Sequence, residues 1–177
     1  MRVIGAWIVS ITMWCGVVST PIVCAESDSK TVQVSATILP RLELSITPET
    51  GSGIAFGAIE QPVRGTETTR SVAVNVGIFS NLGHPYHVTQ MVRHPLRNPA
   101  GASIPEAQWT VVTHEAARGM VGAPEPTIVR SGIPTTLYLS NDIGKSDAFL
   151  ADYTLRVTPT TPAGDFDTEI VYTVTSL

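Results

Sequence analysis

Four histidines, His84, His87, His94 and His114, are the residues of this 177-residue chain best suited to bind a metal or move a proton near neutral pH. His84 and His87 stand three apart around Pro85-Tyr86. In a strand that spacing sends them to opposite faces. His94 and His114 are isolated in sequence. Zinc needs three or four converging ligands, and its motifs show tight pairs that are missing here. Asn141-Asp142-Ile143-Gly144 and Asp165-Phe166-Asp167 carry the oxygens a calcium loop uses, as do Asp147 and Asp152, but not in its pattern. Turn chemistry accounts for Asn and Asp in such places. No serine sits in a Gly-x-Ser-x-Gly elbow, and no Gly-rich phosphate loop occurs. The residues therefore predict no catalytic group, no metal site, no cofactor and no enzyme.

Thiol chemistry is governed by the first 25 residues. They hold both cysteines, Cys15 and Cys24, no acidic residue and a single charge, Arg2. Arg2 with the free amine makes a positive start, Val3–Val18 is apolar, Pro21 breaks the run, and Val23-Cys24-Ala25 offers small residues. That is the layout of a helical secretory signal peptide cut between Ala25 and Glu26. Two alternatives stay open: retention as an anchor, since Val3–Cys24 is long enough to span a bilayer, and lipidation at Cys24. With cleavage, the exported chain has no cysteine and no further membrane segment, and it must rely on packing alone.

The division expected is a signal peptide at 1–25 and one domain at 26–177, of ordinary size for a single core. At 43% hydrophobic and 15% charged residues, the composition excludes disorder as the main state. The net charge is −4, and loss of Arg2 takes it one unit lower. Nucleic-acid binding needs clustered Lys and Arg, and Arg93, His94 and Arg97 are too few to supply it.

The elements that would position any site read as strands. Residues 31–39 alternate, with Val32, Val34, Ala36 and Ile38 against Thr31, Gln33, Ser35 and Thr37. That predicts a half-buried strand, broken at Pro40. Leu42, Leu44 and Ile46 keep the same parity beyond it. Ile54–Ile59 predicts a short strand, with Ile54 and Phe56 facing the core. Val72, Val74, Val76 and Ile78 alternate strictly, and Tyr86–Val92 follows across Ser80-Asn81-Leu82-Gly83, which predicts a hairpin. Further strands are expected at Gln108–Thr113, Thr127–Arg130, Thr135–Ser140, Phe149–Val157 and Thr168–Thr175. Trp109, Tyr86, Tyr138, Tyr153 and Tyr172 fall where strand aromatics pack a core. Glu115–Pro126 is poorly patterned and reads as a mobile loop. About nine short strands with Pro/Gly-rich joins and no amphipathic helix predict an all-β, antiparallel, immunoglobulin-like sandwich with Greek-key connections.

Several segments occur in an order with a counterpart. Val34-Ser35-Ala36 leads to Leu42-Glu43-Leu44-Ser45, then Ile54-Ala55-Phe56-Gly57, Ser71-Val72-Ala73-Val74 and Tyr86-His87-Val88. The chain closes with Ala163-Gly164-Asp165-Phe166 and Ile170-Val171-Tyr172-Thr173-Val174. This order resembles the coat protein U family and related pilin-like subunits of the archaic chaperone–usher class. It is similar, less closely, to WxL-type bacterial surface proteins. The resemblance implies an exported structural subunit of a surface fibre or coat, found in the periplasm, at the cell surface or outside the cell. It implies self-assembly or assembly with related subunits, and a periplasmic chaperone and usher as partners. Assembly in that class is by strand donation, in which Val32, Val34, Ala36 and Ile38 of residues 26–39 would fill a neighbour's groove. The same segment could equally be the domain's own first or edge strand. An alternative function is a monomeric envelope or extracellular module binding glycan or protein through His94–Pro105 or Glu115–Pro126. An envelope hydrolase is a more distant one.

Overall fold

A computed structural model describes residues 30–177. The expected leader and its cut between Ala25 and Glu26 lie outside the described residues. Nine strands are present among them: β1 (Leu42–Pro48), β2 (Thr68–Ser80), β3 (Tyr86–Val92), β4 (Trp109–His114), β5 (Met120–Val121), β6 (Thr127–Ile128), β7 (Thr135–Leu139), β8 (Asp147–Val157) and β9 (Ile170–Ser176). One short 3₁₀ turn, Glu106–Gln108, precedes β4. No helix among the described residues is long and apolar enough to cross a membrane.

The strands form two antiparallel sheets packed as a sandwich. One runs β1-β2-β8-β4-β6 and the other β5-β7-β3-β9. Period-two patterning explains the layers. Val72, Val74, Val76 and Ile78 of β2 are buried, as are Tyr86, Val88, Gln90 and Val92 of β3. Trp109, Val111 and Thr113 of β4 and Phe149, Ala151, Tyr153, Leu155 and Val157 of β8 complete the rows. Tyr86, Tyr138 and Tyr153 are core residues, as their strand positions predict, and Tyr172 packs half-buried against them. Tyr138 stacks on Phe149 with ring centres 5.3 Å apart, and Trp109 lies 6.2 Å from Tyr153.

Three expectations are corrected. The hairpin across Ser80–Gly83 does not exist, because β2 pairs with β1 and β8 while β3 pairs with β7 and β9. Each strand carries an apolar row, and placing the rows on opposite sheets lets each bury the other. Five residues, Asn81–Pro85, suffice to cross the ~10 Å between packed sheets. Glu115–Pro126 is not a structureless loop. It contains β5, and the Asp147 carboxylate accepts hydrogen bonds from the backbone N–H groups of Ala117, Arg118 and Gly119 at 3.3, 2.8 and 3.1 Å. Finally, neither Thr31–Leu39 nor Ile54–Ile59 is a strand. Alternation alone makes a strand only where a neighbouring edge accepts its hydrogen bonds.

Candidate functional site

The sandwich has four edges. β5 and β6 are two residues long and offer little to pair with. β1 and β9 have seven residues each. β1 is guarded: Glu43 points outward and is ion-paired to Arg41, and Pro48 ends the strand. Charge and proline are common means of blunting an edge. β9 reads Ile-Val-Tyr-Thr-Val-Thr-Ser, with no charge and no proline. It pairs with β3 along one side, and no strand among the described residues is hydrogen-bonded to the other, although β1 of the facing sheet comes near it.

Beside β9 the sandwich gapes. A cleft of about 1050 Å³ is lined by Ile170 and Tyr172 of β9 and by residues 52–59. Trp109, Leu155 and Leu96 form part of its lining. Most small-molecule pockets are no larger than about 1,000 Å³, so this one is wide enough for a run of side chains. The segment Gly53–Pro62, the strap, lines the cleft along most of its length. None of the backbone groups of Ile54–Pro62 makes a backbone–backbone hydrogen bond among the described residues. Ile54, Phe56 and Ile59 pack against the core but stay half-exposed. The inward positions shift from even to odd at Gly57, whose φ of +70° suits glycine and breaks the strand the sequence predicts there.

Polar groups lie under β9. The Tyr153 hydroxyl donates to Gln90 Oε1 and sits 2.7 Å from the Tyr172 hydroxyl. Burial pushes the Tyr153 hydroxyl well up and the Tyr172 hydroxyl to about 12. Both therefore hold their protons at neutral pH and act as hydrogen-bonding groups. Gln90 Nε2 and Trp109 Nε1 are buried without an acceptor among the described residues. Such donors favour an incoming oxygen, from water or from a bound chain.

The residues singled out in the sequence fall as follows. Val32, Val34 and Ile38 are 81, 91 and 84% exposed, Ala36 is exposed too, and all four lie outside any strand. His114 Nε2 is 2.9 Å from Asp152 Oδ2, and its Nδ1 is 3.6 Å from Glu115. His84, His87 and His94 do not join them, and no group of three metal-ligating side chains occurs among the described residues. Asp147 also accepts from the Tyr138 hydroxyl at 2.8 Å. Burial raises its carboxyl, but the bonds from Tyr138 and the backbone N–H groups outweigh that and hold it below the ordinary range. Asp167 exchanges backbone bonds with Arg97, and Phe166 lines the cleft.

The sequence puts Gln90 on one face with Tyr86 and Val88 and marks Ile54 and Phe56 as core candidates, but assigns no functional role to Gln90, the strap or the bare edge of β9. Only the last was legible, in the absence of charge from residues 170–176. A scan of protein-family models finds no match to the chain, and a search of curated proteins finds none either.

Proposed function

We propose that the protein is an exported, non-enzymatic structural subunit that assembles by accepting a β-strand along β9. The occupant is Thr31–Leu39 of a second copy. The observation that carries this reading is the uncharged, unpaired edge of β9 standing beside a cleft whose lining includes Ile54, Phe56, Trp109, Leu155 and Ile170. Such an edge is a template for another chain. In strand addition, the backbone supplies affinity and pockets for alternate side chains supply specificity. Thr31–Leu39 has the matching form. Its apolar side chains alternate and are exposed, so an acceptor is the place where they would be buried. At about 3.3 Å per residue its nine residues reach ~30 Å, enough to run the ~23 Å of β9. An edge of this kind also needs covering before assembly, the task a periplasmic chaperone would perform.

The test compares the exported chain with a form lacking residues 26–39 by sedimentation. The parent is expected to form polymers. The truncated form is expected to stay monomeric and to take up an added peptide of residues 31–39. A truncated chain that still polymerises, or that remains folded and ignores the peptide, would overturn the reading. Retention on a glycan or envelope column without polymerisation would favour the binding-module alternative.

A further inference from the structure

We propose that the strap is a place-holder that closes the cleft of the free subunit, and that Gln61 is its latch. This rests on the strand-accepting reading above and adds how the site is gated.

The strap is held weakly along its length. It has no ladder, and Ile54, Phe56 and Ile59 are only half-buried against the core. Near its start, the Thr50 hydroxyl donates to the Gly53 carbonyl at 2.6 Å and accepts from the Ala55 N–H at 3.3 Å, which is a local turn. At its far end, Gln61 Nε2 donates to the carbonyls of Pro159 at 2.7 Å and Thr161 at 3.3 Å. Among the described residues these are its hydrogen bonds to another part of the fold.

The receiving loop is itself fixed. Thr158 N–H donates to Thr161 Oγ1 at 3.0 Å, Thr161 Oγ1 donates to Gln108 Oε1 at 3.2 Å, and Gln108 Nε2 donates to Thr158 Oγ1 at 3.3 Å. Thr161 is buried. A strap without a ladder is thus tied to a hydrogen-bonded loop by one amide, and Gly57, at φ +70°, puts a bend in it. The side chains it lays over the cleft, Ile54, Phe56 and Ile59, are apolar and spaced, as are those of Thr31–Leu39. A donated strand would replace them and gain the backbone bonds along β9 that the strap does not make.

Two measurements test this, on the full chain with Cys15→Ser and Cys24→Ser and with Val34→Ser and Ile38→Ser, which weaken its own donor segment so that the cleft stays free. First, Ile59→Cys is treated with a thiol reagent, with and without Gln61→Ala. Loss of the latch is expected to speed labelling several-fold. Gln61→Glu, which sets a carboxylate against two carbonyls, is expected to do so at least as much. Equal rates in all three chains would overturn the latch. Second, a fluorescent peptide of residues 31–39 is added to chains carrying Gln61 or Gln61→Ala. Uptake is expected to be several-fold faster in the variant, with final occupancy equal or higher. Equal uptake rates would overturn the gate. No uptake by either chain, with labelling still latch-dependent, would sink the strand-accepting reading and the gate with it while leaving the latch standing.

Discussion

β1 and β9 are edge strands of equal length on the two sheets, and both flank the same cleft. They treat their free edges in opposite ways. β1 carries an outward glutamate held by Arg41 and closes on Pro48. β9 has neither charge nor proline. An unguarded edge is a standing risk of unwanted pairing, so its persistence on one side only is informative. The difference teaches that two edges alike in length and in having a single partner can be guarded differently by composition alone. The cleft that both flank is lined by the strap, the part of the chain between β1 and β2 that makes no ladder.

The largest effect should come from making β9 resemble β1. Val171→Lys places a charge on this edge, and subunit association should weaken by at least about tenfold, or ~1.4 kcal/mol. Thermal stability should stay within about 1 kcal/mol of the parent, since surface changes of this kind rarely cost more. Sedimentation and a melting curve check the pair, and unchanged association would remove the distinction between the edges.

Next come the proposed occupants. Val34→Ser and Ile38→Ser should each weaken association by several-fold to about tenfold, from roughly 1–1.5 kcal/mol of lost apolar burial. Neither should lower the melting temperature of the subunit, because both side chains are more than 80% exposed. A drop in melting temperature would mean that these residues already pack in the single chain.

A third test uses alkali. An ordinary tyrosine ionises near 10, and Tyr172 is raised to about 12 by burial. The stability tied to its neutral form is therefore complete below pH 10 and is lost as pH rises through 12. Tyr172→Phe should cost about 1 kcal/mol at neutral pH through the lost bond to Tyr153, yet flatten the alkaline fall. Denaturant midpoints at pH 7 and 11 would show it, and an unchanged alkaline slope would contradict the assignment. The smallest effect is expected from Glu43→Val. This exposed pair contributes little to stability, so a change under about 0.5 kcal/mol is expected, with β1 becoming more prone to association. Light scattering would detect that, and no change would mean that Pro48 alone guards the edge.

Much of the sandwich was legible because period-two patterning is a local consequence of strand geometry. Val72–Ile78, Tyr86–Val92 and the row from Tyr153 to Val157 could be assigned to the core from spacing alone. Pairing partners could not, because the alternation that marks a strand is blind to which sheet it joins. That is why β2 and β3 read as a hairpin and lie in different sheets. Thr31–Leu39 and Leu42–Pro48 make the same point more sharply. The two share one parity on either side of Pro40, yet only the second forms a strand. By itself, the sequence determined the all-β character, the inward rows, the thin charge and the bare composition of residues 170–176, all of which depend on residue type and local period. Only the tertiary structure decided which edge stays unpaired, where the cleft opens and that Gln61 reaches the Pro159–Thr161 carbonyls. Those depend on contacts between residues about a hundred positions apart, and no local pattern encodes such separations.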